Sequence, residues 1–196
     1  MSRELLQQQP GPSAYVTSGY YQRLYRIAKE WSNPGPPVAP EIHYEITHLL
    51  NRECRLLDDG RFEEWLGLFQ DQCIYWIPSD PAPHNPGGTI TWEIQDRRRL
   101  EDKIARFRTG FAFSQLPPTR TRHSLSNIEI WAAGETELRV RTNLNVHTYR
   151  KGEHGTLACM GGYVLQRQDD ESWLIEVKQI NLIDADQAQG NISFML

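Results

Sequence analysis

The sequence predicts an α+β domain: helices from the first half pack on a strongly curved, mostly antiparallel mixed sheet from the second half. Three observations carry this. Apolar residues fall at helical spacing through residues 42–69 and again through 100–111. Residues 138–147 alternate strictly between apolar and polar, as a half-buried strand does. Turn signals, AGE (133–135), KGEHG (151–155) and QDDES (168–172), divide the later chain into hairpins.

Residues 1–40 read as an arm. Two proline-rich breakers, QQQPGPS and NPGPPVAP, bracket SGYYQRLYRIAKEW, in which Tyr20, Tyr21, Leu24, Ala28 and Trp31 recur at helical spacing. Such a helix has to bury its rings, on its own domain or on a partner. A single domain over 41–196 follows. Ile42, Ile46, Leu49, Leu50 and Leu57 make an apolar stripe on its first helix, which Asp58, Asp59 and Gly60 stop. Phe62, Trp65, Leu66 and Phe69 line a second, short helix. Cys73, Tyr75 and Ile77 then alternate with Ile74 and Trp76, a strand ended by Pro78.

SDPAPHNPGG is a loop, TITWEI (89–94) a short strand, and Leu100, Ile104, Phe107 and Phe111 make the next helix amphipathic. From Thr121 onward the pattern is β throughout. Leu138, Val140, Leu144 and Val146 face one way, and Arg139, Arg141, Asn143, Asn145 and His147 the other. GTLACMGGYVLQRQ and ESWLIEVKQINLI complete the sheet, with Gly161 and Gly162 marking a bulge or bend, and NISFML closes the chain as an apolar tail.

The 196 residues suit one domain with a developed core, supplied by 39% hydrophobic residues, six Trp, eight Tyr and six Phe. A formal net charge of -4 gives no general attraction for nucleic acid or anionic membrane. DRRRLEDKIARFR is the densest basic run, but Asp96, Glu101 and Asp102 are interleaved with its cations, so it reads as a solvated, self-paired helix face. Cys54, Cys73 and Cys159 form no CxxC pair and read as buried thiols of a reducing cytoplasm. No run approaches the roughly 20 apolar residues that span a bilayer, and the first residues lack a signal-peptide core. The expectation is a cytoplasmic protein.

Candidate chemistry is sparse. Glu45 and His48 in EITH have the i, i+3 spacing of carboxylate-bridged iron sites, but such sites draw a second copy from a facing helix, and the sequence holds none. They read as a surface pair. His123, His147 and His154 share no ligand spacing, Ser124 lacks a glycine-flanked elbow, and no glycine-rich phosphate loop occurs. No catalytic, cofactor-binding or metal residue is therefore assigned.

One enzymatic option stays open: a pocket between helices and curved sheet, with Asp58, Tyr75, His123 or Tyr163 as general acid or base. The plainer alternative has the tyrosines filling the interior, Asp58 ending a turn and His123 sitting with Arg122 at the rim. Arg120, Arg122, Arg139 and Arg141, with Asn143, Asn145, His147 and Tyr149, would populate one exposed sheet face of the composition interfaces favour.

RECRLLDDGRFEEWLGLF, IYWIP, DRRRLEDKIARFRTG, PPTRTRHSLSNIEI and the closing QINLIDA…NISFML occur in an order and spacing that resemble one family across residues 41–196. This family comprises the small (β) subunits of aromatic-ring-hydroxylating dioxygenases of the Rieske non-haem iron type. The resemblance implies a cone-shaped fold of the kind shared by nuclear transport factor two, scytalone dehydratase and ketosteroid isomerase, also called cystatin-like. It further implies assembly with a large α subunit and neighbouring β subunits, three of each. The Rieske iron-sulfur cluster and mononuclear iron would sit on the large subunit, supplied with electrons from NAD(P)H through a reductase, and the small subunit would be structural. On that reading Arg120, Arg122, His123 and Asn127 of the TRTRHSLSN strand, with Trp76, Arg97 and Arg98, belong to subunit interfaces. The competing readings are a free-standing lyase or isomerase and a small-ligand-binding protein, each using the cone.

Overall fold

The computed structural model describes residue 13, residues 15–82 and residues 85–196. The breaker QQQPGPS, apart from Ser13, and Pro83 and His84 of the SDPAPHNPGG loop lie outside the described residues. Helix α1 (Ser18–Glu30) begins where the Thr17 side chain accepts from the Tyr20 N–H. Pro40, whose missing N–H costs nothing in a first turn, opens α2 (Pro40–Asp58). Gly60 ends it at φ +67, letting the Gly60 and Arg61 N–H groups turn back onto the Leu57 and Leu56 carbonyls.

The short α3 (Phe62–Leu66) is followed at once by strand β1 (Phe69–Pro78). Phe69 opens that strand instead of closing the helix, because the Leu68 carbonyl accepts from Ile175 N–H and draws the chain into the sheet. Strand β2 (Thr91–Asp96) runs straight into α4 (Arg97–Arg108), whose first turn is capped by Asp96 accepting from Arg99 N–H at 2.9 Å. Phe111, expected on that helix, lies past its end and is exposed, since Gly110 at φ +71 turns the chain away.

Four long strands complete the sheet: β3 (Arg120–Ala132), β4 (Glu137–Arg150), β5 (Glu153–Arg167) and β6 (Trp173–Leu182). The order is β2-β1-β6-β5-β4-β3, antiparallel throughout except for the parallel β1–β6 pair. The α+β expectation of a mixed, mostly antiparallel, curved sheet with helices packed on it holds. The β4–β5 hairpin turns on Lys151 and Gly152 alone, both at positive φ, the conformation that matches the twist of the flanking strands. Asn127, at φ 53, sits in a bulge of β3 between Ser126 and Glu129, which bends that strand.

Elements pack against both faces of the sheet. Against the inner face, α2, α3, α4 and residues 194–196 bury Ile46, Leu50, Trp65, Leu100, Val140, Leu144 and Ile180 in the main core. Against the outer face, α1 buries Leu24, Ile27 and Trp31 on Ile74, Trp76, Trp131, Val164 and Val177. The arm's rings thus find cover on the same chain. This packing explains Gly162, which continues the β4–β5 ladder opposite Arg141 without a register shift: a Cβ there would lie 2.7 Å from the Trp31 ring. Of the bulge or bend expected from sequence, the bulge is not at Gly161 and Gly162, which stay in register while the shift in β5 falls between Val164 and Leu165; the pair is a place of close approach.

The single exposed face expected for β3 and β4 is corrected by the same helix. Arg139 is buried, donating to Glu30 of α1 at 2.8 Å and to Glu137 at 2.7 Å, and Arg141 donates to the Trp31 carbonyl at 2.9 Å. Arg23 joins them, bridging Glu137 and Glu176. Only the far end of the face, with Arg120, Arg122, Asn143 and His147, stays open.

Candidate functional site

The cone interior is the first place to look for chemistry, and it is filled. Glu53, from the inner side of α2, and Lys178, from β6, are both fully buried, with the ammonium 2.6 Å from the carboxylate. The same Glu53 oxygen accepts from the Trp65 indole N–H at 2.6 Å, and Tyr163 O–H points at the other from 3.5 Å. Lys178 is ringed by Trp65, Tyr75 and Tyr163, whose centroids lie 5.9, 6.0 and 5.7 Å away. Its remaining reach goes to the main-chain oxygen of Leu196 at 2.6 Å. Tyr75 completes the closure, accepting from Leu196 N–H at 3.1 Å and donating to the Leu196 main-chain oxygen at 3.3 Å.

Tyr75 and Tyr163, weighed from sequence as acid or base, are thus embedded donors. Burial, reinforced by nearby carboxylates, pushes both phenols well above their ordinary pKa. Glu53 and Lys178 were not singled out from sequence. The available signal was a carboxylate one turn from Leu50 and Leu57 on an apolar stripe, and an ammonium inside the apolar run of β6.

Asp58 and His123 do come together, at the open end of the cone. The Asp58 carboxylate lies 2.6 Å from His123 Nδ1, accepts from His123 main-chain N–H at 3.2 Å and from the Thr121 hydroxyl at 2.9 Å. Burial works against the anion, but hydrogen bonds and charge from His123 outweigh it and hold the carboxyl below its ordinary pKa. The His123 side chain is fully buried and its Nε2 has no hydrogen-bond partner among the described residues. This ties the end of α2 to the start of β3. Asp58 and Thr121, but not the imidazole, reach a cleft of about 380 Å³ bounded by Phe62, Phe107, Leu116 and Met195.

The remaining interface candidates divide by depth. Trp76 is buried beneath α1. Arg97 donates to the Leu66 and Phe69 carbonyls at 2.9 and 3.1 Å, pinning the start of α4 to the α3–β1 junction. Arg98, Arg120, Arg122 and Asn127 are exposed. Arg98 pairs with Asp102 at 3.2 Å and Arg97 with Glu101 at 3.1 Å, the self-paired face read from the sequence. Arg120 lies 4.4 Å over the Tyr149 ring and, with Arg122, His147 and His154, lines a cleft that Asp58 also borders. Phe111, Phe113 and Leu116, between α4 and β3, are exposed, as are Ile90, Trp92 of β2 and Ile183.

Glu45 and His48 lie at the surface of α2, and among the described residues no three His, Cys, Asp or Glu side chains form a group able to hold a metal ion. Cys54, Cys73 and Cys159 are buried free thiols, and burial raises the pKa of all three, Cys73 and Cys159 to about 12. No helix among the described residues is long and apolar enough to cross a membrane.

Comparison with known proteins gives this geometry a family. Residues 52–187 match the model described as ring hydroxylating beta subunit. The small oxygenase component of the p-cumate 2,3-dioxygenase system of Pseudomonas putida is 29% identical over 154 residues, covering 78% of this chain and 86% of that one. The 3-phenylpropionate/cinnamic acid dioxygenase subunit beta of Photorhabdus laumondii is 33% identical over 172 residues, covering 81% and 93%. Among solved structures, the benzoate 1,2-dioxygenase beta subunit of Burkholderia mallei superposes with a TM-score of 0.62 at 27% identity, over 76% of this chain and 95% of that one. A naphthalene 1,2-dioxygenase chain at 16% identity shares the fold, with a TM-score of 0.68 over 86% and 93%. With a scaffold-filled cone and a matched family model spanning most of its length, the chain belongs to the beta subunits of aromatic-ring-hydroxylating dioxygenases, an oxidoreductase family.

Proposed function

We propose that this chain builds and holds a dioxygenase whose chemistry takes place on a large α subunit. Three α and three β subunits would assemble in the cytoplasm to dihydroxylate an aromatic compound. The Rieske cluster, the mononuclear iron and the electrons arriving from NAD(P)H through a reductase all belong, in this proposal, to the partners. The observation that carries it is the family match joined to the closed cone: Tyr75, Tyr163, Glu53 and Lys178 spend their polar groups on one another and on Leu196. The described residues offer no set of ligands that fits either iron centre, and no step of the proposal runs through a metal here.

Within this reading Arg98, Arg120, Arg122 and Asn127, with the exposed Phe111 and Phe113, meet neighbouring subunits directly. His123, Arg97 and Trp76 serve the same surfaces from beneath, by fixing the start of β3, the start of α4 and the seat of α1. The division at residue 40 is part of the proposal, with α1 acting as a cover for the outer face.

The experiment is expression of the chain alone and together with its large subunit. Alone it should oxidise no aromatic compound. Mixed with the large subunit and an electron-transfer chain it should restore oxygenase activity, and sizing should show one assembly of both chains. Turnover by the lone chain, abolished by Tyr75→Phe, would favour the lyase or isomerase reading instead.

A further inference from the structure

A cleft of about 590 Å³, larger than the one of about 380 Å³ beside Asp58, lies between α4, β2 and residues 190–193. Arg99, Asp102, Lys103 and Arg106 recur at i, i+3, i+4 and i+7, so α4 lines it with one face. Most of the charge there is already matched. Lys103, only 7% exposed, lies 2.5 Å from Glu93, and Asp102 lies 3.2 Å from Arg98. The two arginines are left over. Arg99 reaches only the Ile94 carbonyl, at 3.4 Å, and the Arg106 guanidinium has no partner among the described residues. The side-chain amide of Gln95, which also lines the cleft, is likewise without one.

We propose that this cleft binds a small aryl carboxylate, a ligand site that belongs to this chain by itself and does not rest on assembly with a large subunit. Glu93 and Asp102 each face a cation, so the charge left to attract a ligand is that of two guanidiniums. Arg99 and Arg106 stand seven residues apart, about 10 Å along the helix axis, a separation that two long side chains can close around one anion. A planar carboxylate matches the guanidinium fork. Trp92 spends its indole N–H on the Ala185 carbonyl at 2.7 Å, which holds the ring at the cleft, and Ile192 adds a second apolar wall. Those walls suit a ring attached to the carboxylate, and the Gln95 amide is a further donor. Both arginines are exposed, so binding is modest and salt-dependent.

The test titrates the full chain at low salt with two probes, 2-naphthoate and the neutral 2-naphthamide, by calorimetry, with the NMR signals of the Trp92 indole N–H and the Gln95 amide marking the place. Naphthoate should bind and move both signals, and the amide should bind about fivefold more weakly or worse. Arg99→Gln and Arg106→Gln should each weaken naphthoate about 2–5-fold and the double variant about tenfold. Arg52→Gln, an exposed arginine of α2, should leave it unchanged, which separates the site from the overall charge. Trp92→Ala should weaken both probes, and high salt should bring naphthoate down toward the amide. Equal affinity for the two probes, or a double variant that binds as the parent does, overturns the proposal. So does binding that moves Phe62 and Leu116, in the cleft beside Asp58, and leaves Trp92 and Gln95 in place. A naphthoate that fails to bind at millimolar concentration overturns it as well.

Discussion

Replacing Glu53 by Gln tests how the closed cone is held. The substitution keeps side-chain shape and an oxygen for the Trp65 indole, now 2.6 Å from the carboxylate, while removing the charge opposite Lys178. Stranding one ion of a fully buried pair costs about 3–5 kcal/mol. The three aromatic rings around Lys178, each within 5.7–6.0 Å, offset part of this, which places the expected loss near the lower end, about 3 kcal/mol. For a domain of this size that is a fall in Tm of about 6–12 °C.

Urea denaturation of Glu53→Gln, Lys178→Met and the double variant closes the cycle. The double variant, with no unpaired charge left, should recover about 2 kcal/mol over Glu53→Gln alone. Oxygenase activity per assembled complex, assayed well below the lowered Tm, should be unchanged. A Glu53→Gln chain within about 0.5 kcal/mol of the parent would refute the energetic argument. Normal stability and assembly with activity abolished would refute the structural role of the cone.

Further outcomes follow from the same contacts. Asp58 has a folded-state pKa below the ordinary carboxylate value of about 4, so its stabilisation is complete above that pH and is lost as pH falls through the folded value. Asp58→Asn should therefore weaken the protein at pH 7 and converge with the parent in acid, measured by denaturation across pH. Gly162→Ala would push a methyl against Trp31 at 2.7 Å, costing about 1–3 kcal/mol and exposing α1 to protease, whereas an unchanged digestion pattern would mean α1 is held elsewhere. Arg122→Ala should leave the isolated chain's stability within about 0.5 kcal/mol while weakening association with the large subunit in sizing experiments. His123→Ala should do the reverse first, lowering the Tm of the isolated chain, because its ring is an internal strut.

The sequence by itself determined the fold class, and for local reasons. Helical stripes such as Ile46 and Leu50, the alternation of Val140 with Arg139, and turn residues such as Lys151 and Gly152 report periodicities that neighbouring residues impose on the chain. The family motifs were legible in the same way, as residue order along the chain. What tertiary structure decided was where each polar side chain spends its charge. Arg139 looked like one more outward residue of a two-faced strand until α1, 109 residues earlier in sequence, laid Glu30 against it. His123 turned inward to Asp58 across 65 residues, and Lys178 met Glu53 across 125. Period-two alternation says that one face of a strand is apolar; it does not say what covers the other. Burial of charge depends on partners brought together by the whole fold, so the filled cone, its plug and the covered outer face belong to three dimensions alone.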